Sequence, residues 1–376
     1  MKEIVVKPIF GAHQIYQEIV NYPPKNVEYI GVSKETQKGN YYQSKKVKEM
    51  AGALLQKLKI PRAILVNPGG YDLIHSSRGI IPIQIFGKKP WVIDMEHVHS
   101  FFGLNPNLIK NKYWKKFIEN KLFSNSCKAI LCHCEATKQA FFHYLNCERF
   151  KDKIKVLYPA SHITSIKKIE HKNIRILSVL SLFYHKGGPQ ILEAFSRLEK
   201  EYPNIELWIK TDAPTEFKEK YKSKNIHWFP YFSQVLPREK LLQSFHGQCD
   251  IFVYPSFCDS FGYSLMDAMV AGLPIVTTNL FAFPEIVEDG KNGFVVKIPR
   301  YDLRKGFFQV HRYQTINPKE NEEIVGEIVR VLERLIKNKK LRESMGKKGY
   351  LQISNGKFSI KERNKELINI YKDCLK

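Results

Sequence analysis

The chain has 376 residues, 43% of them hydrophobic and 12% aromatic, which is ample for packed cores and suggests two domains rather than one. It contains no run of 18 or more apolar residues, so no membrane-spanning helix is expected, and seven cysteines without framework spacing fit a reducing cytoplasm. Lys and Arg number 60 against 37 Asp and Glu, a formal net charge of +23, which favours polyanions: nucleic acid, an anionic membrane face or phosphorylated substrates.

The opening "MKEIVVKPIF" lacks the long apolar stretch of a secretory signal and reads as a first strand. In the first half, "EIVVKPIF", "RAILVNP", "PWVIDM" and "KAILCHC" are expected as strands, and "HQIYQEIV", "VKEMAGALLQKL" and "EATKQAFFHYL" as helices. Residues 156–175, with a proline, several charges and little periodicity, read as an inter-domain linker. The alternation then restarts: "IRILSVLS", "NIELWIKT", "CDIFVYPS" and "LPIVTTN" as strands, "GPQILEAFSRLEKEY" and "PREKLLQSFHGQ" as helices. A basic, less regular stretch over 300–320 precedes a strongly helical run, and "SIKERNKELINIYKDCLK" closes the chain as a last helix. The pattern predicts two successive α/β units with parallel sheets: an N-terminal unit over 1–170, a C-terminal unit over 171–354, and a final helix over 355–376 expected to pack back on the N-terminal unit.

Chemistry concentrates in "DSFGYSLMDAM", where Asp259 and Asp267 stand eight positions apart around a Phe-Gly pair. "IFVYPS" before it predicts a buried parallel strand, whose carboxyl end is where open α/β sheets place ligands. Gly262 permits close backbone approach, and the helix that follows offers amides and a partial positive charge to a phosphate. Asp259 precedes that helix, while Asp267 lies about 7–8 Å along its axis. Taken alone, the acids have two readings: a helix cap with a surface acid, or two carboxylates gripping the ends of one elongated ligand.

The run "DIFVYPSFCDSFGYSLMDAMVAGLPIVTTN", followed by "PEIVEDGKNGFVV", resembles the signature of the retaining GT-B glycosyltransferases of family 4, glycosyl transferases group 1. That pattern is P-S-x-x-E-x-F-G, seven residues between two glutamates, then E-A-M-A-x-G-x-P-V and P-E-I-V-x-D-G-x-N-G. The resemblance covers residues 172–297 most strongly, with "SVLSLFYHKGGPQILEAF" opening the domain. It implies a GT-B fold, two Rossmann-like α/β domains whose sheets face a central cleft. It also implies sugar transfer from a UDP- or GDP-sugar to a glycan or lipid-linked acceptor, with no cofactor and no metal site. Carried over by position, Lys186 of "HKGG" faces the donor diphosphate, the amides around Phe261, Gly262, Tyr263 and Ser264 hold it, Asp267 binds the ribose hydroxyls, and Asp259 meets the sugar hydroxyls near the reacting carbon. Three departures stand out: Ser181 replaces an arginine five residues before the lysine, both glutamates are aspartates, and the expected glycine pair before "PEIV" reads Phe281-Ala282, which would narrow a loop facing the donor. They leave open a catalytically inactive relative that binds the nucleotide-sugar as a scaffold.

The first half carries weaker signals. "PWVIDMEHVHSFFG" and "YDLIHSSRGIIP" resemble the family's strand-end histidine regions, which makes His97 a catalytic candidate and His75 another cleft candidate, with Glu96 alternative to His97 by a one-residue shift. Gly11, at a strand-to-helix turn, matches a glycine loop near donor or acceptor phosphate. The "CHC" of 132–134 reads as ordinary packing. Residues 110–123, "KNKYWKKFIENKLF", place aromatic and aliphatic residues on one arc and lysines on the other, either a core-packed helix with a solvated face or a helix drawn to anionic lipid. The latter implies a cytoplasmic protein peripheral on the inner face of the membrane. No nucleic-acid motif or aromatic stacking platform accompanies the charge, so nucleic acid is not expected as a partner.

Overall fold

The structure, a computed structural model, describes residues 3–11, 13–32, 61–67, 69–102, 108–300 and 312–376. The helix expected over 47–58 and much of the basic stretch 300–320 lie outside the described residues. The chain divides into two units, the first formed by residues 1–162 together with 357–376, the second by 163–303 with 307–356.

The first unit is built on a parallel six-stranded sheet in the order β2-β1-β4-β6-β7-β8, comprising β1 (Ile4–Ile9), β2 (Val27–Tyr29), β4 (Leu73–Ser77), β6 (Trp91–Met95), β7 (Cys127–Cys132) and β8 (Ile154–Val156). The central strands β4 and β6 are buried at every residue, as parallel strands covered on both faces must be. Ile74, Ile93 and Ile130 pack there with Phe101 and Phe141. A separate parallel pair joins β3 (Ala63–Leu65) to β5 (Ile81–Ile83). Helix Ile360–Cys374, begun by a Ser359 side-chain cap on the Glu362 amide, belongs to this unit and buries Leu367, Tyr371 and Cys374 in it.

The second unit repeats the plan with β11-β10-β9-β12-β13-β14, all parallel: β9 (Ile174–Val179), β10 (Ile205–Lys210), β11 (Ile226–Phe229), β12 (Ile251–Tyr254), β13 (Ile275–Thr278) and β14 (Gly293–Val296). Helix Gly188–Leu198 follows β9, and helix Tyr263–Val270 follows β12. The long helical run is divided at Asn338, which ends helix Pro318–Lys337 and caps helix Lys339–Ser354 through its side chain to the Leu341 amide. The first helix opens with a capping box between Asn317 and Glu320.

Every strand anticipated from an apolar run is present. Those not anticipated, β2, β4, β5, β8 and β11, are short or carry polar residues inside the run: β4 reads Leu-Ile-His-Ser-Ser. No helix among the described residues is long and apolar enough to cross a membrane.

Candidate functional site

In the second unit, β9 and β12 are neighbours whose connections lead to opposite sides of the strand order, the topological switch point at which open parallel sheets hold ligands. The loop after β9 carries Lys186 and the loop after β12 carries Asp259. Gly187 and Gly188 allow the two loops to touch. Gly187 has φ +77, and a Cβ there would stand 2.3 Å from the Pro255 carbonyl oxygen, so only glycine gives both the left-handed turn and the close approach. The Phe257 amide then donates to the His185 carbonyl at 2.8 Å, tying one loop to the other.

Lys186 donates from Nζ to Asp259 Oδ2 at 2.8 Å and to the Cys258 carbonyl. Tyr254 Oη also donates to Oδ2 at 2.8 Å, and the Gly262 amide donates to Oδ1 at 3.1 Å. The Lys186 and Asp259 side chains are 10% and 18% exposed, so this ion pair sits just beneath the surface. Burial pushes the Asp259 carboxyl up, but Lys186 and the hydrogen bonds from Lys186, Tyr254 and the Phe261 amide hold it below the usual carboxylate range. Burial, reinforced by Asp259, pushes the Tyr254 phenol well above its ordinary value.

Gly262 is the N-cap of helix Tyr263–Val270, with φ +90, and a Cβ on it would come within 2.5 Å of the Phe283 ring. Tyr263 and Ser264 occupy the first helical positions, whose amides point out along the axis. Asp259 thus accepts from the amides of Phe261 and Gly262, just before the helix, as well as from Lys186. A helix start, an ammonium and a built-in carboxylate share one spot, which suits a diphosphate held by N–H groups and a cation.

Asp267, in the second turn of the same helix, accepts from Arg238 Nε at 2.8 Å, the two side chains being 9% and 13% exposed. Arg238 opens helix Arg238–Ser244 and went unnoticed in the sequence; an arginine after a proline at a helix start carries no local signal of a carboxylate 29 residues away. One expectation is corrected here. Phe281 does take a left-handed φ of +39, a conformation glycine adopts without strain. Yet Phe281 and Ala282 are 1% and 0% exposed, so the bulk enters the core instead of narrowing an open loop.

In the first unit, polar residues within buried strands find one another. Asp94 of β6 accepts from Tyr16 Oη at 3.3 Å and pairs with His133 Nε2, with His75 Nε2 3.9 Å away. His75 Nδ1 lies 2.6 Å from Tyr371 Oη, which lies 2.9 Å from Tyr29 Oη. Burial lowers the His75 pKa to about 4, keeping it neutral. Burial also opposes charge on His133, but Asp94 overrides it and raises that imidazole. His133, read as ordinary packing, is thus an ion-pair partner at the end of β7. At the same strand edge Arg78 Nε bonds Glu96 Oε1 at 3.0 Å.

The catalytic candidate His97 follows β6 by two residues. It has no exposed surface, its ring stacks on His99 at 4.6 Å, and Nδ1 lies 2.8 Å from His99 Nδ1. The 3₁₀ helix Val98–Phe102, buried at every residue, follows immediately, while the neighbouring Glu96 side chain is 10% exposed and paired with Arg78. Gly11 follows β1 with open space where a Cβ would be. In helix Lys112–Phe123, Ile118 and Leu122 are buried, and Trp114 and Phe117 pack against the core; only Tyr113 of its apolar arc stands clear, 87% exposed.

Residues 162–304 match the family model described as glycosyl transferases group 1. A 41.2 kDa protein of the cps region of Klebsiella pneumoniae is 24% identical over 60% of this chain and 65% of its own length. The capsular polysaccharide biosynthesis glycosyltransferase CapM of Staphylococcus aureus is 29% identical over 56% of the chain and 48% of its own. The aligned stretch thus spans roughly half to two thirds of these relatives. Among solved structures, sucrose-phosphate synthase from Thermosynechococcus elongatus superposes with a TM-score of 0.64 at 11% identity over 98% of both chains. HepE from Anabaena, in complex with UDP and glucose, gives 0.59 at 12% identity over 98% of this chain and 99% of that one. Residues 162–304 are thus similar to glycosyl transferases group 1, and the fold is that of the GT-B structures.

Proposed function

We propose that the protein transfers a sugar, with retention and without a metal ion, from a UDP- or GDP-sugar to a glycan or lipid-linked acceptor. The observation that carries this reading is the Lys186–Asp259 pair beside the Gly262 helix start, at the switch point of the second sheet. HepE, solved in complex with UDP and glucose, has the same fold and supports the donor class.

Departure of a nucleoside diphosphate builds negative charge on the oxygen leaving the anomeric carbon. Lys186 and the first-turn amides of helix Tyr263–Val270 would offset that charge, the task for which preorganised donors are most effective. The acceptor oxygen bonds to the anomeric carbon on the face the phosphate leaves, and its proton passes to the departing phosphate oxygen. Asp267, held by Arg238, would accept from the ribose hydroxyls. Asp259 would accept from the donor sugar, which requires its carboxylate to turn from the Gly262 amide.

That last requirement favours a second reading as well: both oxygens of Asp259 already have partners, as in a relative that binds nucleotide-sugar without turning it over. Calorimetry with UDP and GDP, alongside hydrolysis and transfer assays over panels of their sugars, separates the two. Turnover of one donor establishes the enzyme; tight binding with no turnover of any donor establishes the scaffold; and no binding of any nucleotide sinks both.

A further inference from the structure

Between β5 and β6 the chain makes a short closed loop, Gln84–Lys89, at the amino edge of the first unit's sheet. The Gln84 side chain clamps it at both ends: Nε2 donates to the Lys89 carbonyl at 3.0 Å, and Oε1 accepts from the Lys89 amide at 2.9 Å. Gly87, with φ +78 and no atom within 4 Å of where a Cβ would sit, turns the tip in open solvent. The clamp presents Ile85 at 67% and Phe86 at 72% exposure, followed by the exposed Lys88 and Lys89. Leu65, 64% exposed, lies beside the loop, because β3 pairs with β5 in the register Leu65 to Ile83.

Two bulky apolar side chains held out by a side-chain clamp are not a loop that has failed to pack. The clamp commits two hydrogen bonds of a glutamine to keeping them displayed, and none of the residues assigned to sugar transfer is among them. We infer that the Ile85–Phe86 tip inserts into the interface of an anionic lipid bilayer, with Lys88 and Lys89 on the phosphate headgroups. The geometry fits this partner better than a protein. A stable protein interface covers about 800 Å² on each side, far more than a two-residue tip, whereas a bilayer accepts a tip of any width. The adjacent lysines and the net charge of +23 complement an anionic surface. This relocates membrane contact from the helix over 112–123, whose Trp114 and Phe117 are occupied by the core.

The inference does not rest on the transfer reading, since vesicle binding is measured on the protein alone. The test is co-sedimentation of the full chain with phosphatidylcholine vesicles, with and without phosphatidylglycerol. Binding is expected only with phosphatidylglycerol and is expected to weaken with salt. Ile85→Ser with Phe86→Ser should lower partitioning about tenfold or more, and Lys88→Glu with Lys89→Glu should do likewise. All four side chains are solvent-exposed, and matching thermal melts confirm that the variants fold. The inference is overturned if the wild type ignores phosphatidylglycerol, or if both double variants bind like the wild type. It is overturned equally if sedimentation velocity shows a dimer that Ile85→Ser/Phe86→Ser abolishes, which would make the tip a contact between copies of this chain.

Discussion

The two units share a strand plan but treat charge at the ends of their strands in opposite ways. In the second unit the charges pair just below the surface: Lys186 with Asp259, Arg238 with Asp267, each side chain between 9% and 18% exposed. In the first unit the polar groups of β4, β6 and the end of β7 are sealed inside, His75 and His133 at 0% and 1% exposure around Asp94. A shallow ion pair can exchange a partner for a ligand while keeping most of its electrostatic stabilisation. A sealed network has no such exchange available, and losing one member strands the others without water. The first arrangement suits binding and the second suits holding a fold.

The largest expected effect tests the shallow pairs. Lys186→Ala should lower kcat/KM for the nucleotide-sugar by about 100- to 1,000-fold, the usual scale for removing one donor to a developing oxyanion, with the melting temperature nearly unchanged. Asp259→Asn should reduce transfer strongly while leaving nucleoside diphosphate binding intact or tighter, because an anion is removed beside the phosphate position. Equal losses of binding and turnover would instead make the pair structural. Next comes the sealed network: His75→Ala should cost about 2–4 kcal/mol in urea unfolding, through a cavity and unpaired buried groups, and calorimetry of nucleotide binding to the folded variant should not change.

Acidification sharpens the contrast further. A histidine whose folded pKa is depressed loses stability as pH falls below its unfolded value of about 6.5. His75, at about 4, and His99, at about 3, both act in that direction in the first unit. His133, whose pKa is raised, stabilises the fold below its unfolded value and offsets part of the loss. Melting temperature should therefore decline from pH 6.5 toward pH 4. Asp259, held low, should keep its contribution through that window and lose it only at more acidic pH. His75→Ala should flatten the decline; an unaltered slope would remove His75 as its cause. The smallest effect is expected for Arg238→Ala, a fall in nucleotide affinity of about three- to tenfold without loss of kcat, since Asp267 remains but is no longer oriented.

How much of this could be read beforehand follows the same division. Asp259, Gly262 and Asp267 lie within nine consecutive residues of one strand-turn-helix segment, so their geometry is encoded locally and their spacing already predicted it. The first unit's network draws Tyr16, His75, Asp94, His133 and Tyr371 from five separate segments, and no local pattern announces such a meeting. For the same reason β4 escaped notice: its His-Ser-Ser run looks solvated until Asp94, Tyr371 and backbone carbonyls supply partners. His97 shows the converse: a histidine next to a strand end resembles a cleft residue, whereas here it is wholly buried beside the 3₁₀ helix that follows.

The return of residues 357–376 to the first unit also sets the order in which the protein can be completed. Tyr371 covers His75 and Tyr29, and Arg363 Nη2 donates to the carbonyls of Glu18 and Tyr22 at 3.0 and 2.9 Å. During synthesis, which adds roughly 5–20 residues per second, the first unit is translated early but lacks these partners until the second unit has emerged. The segment synthesised first therefore finishes folding last, and a chain interrupted after the second unit would leave a buried histidine open to water.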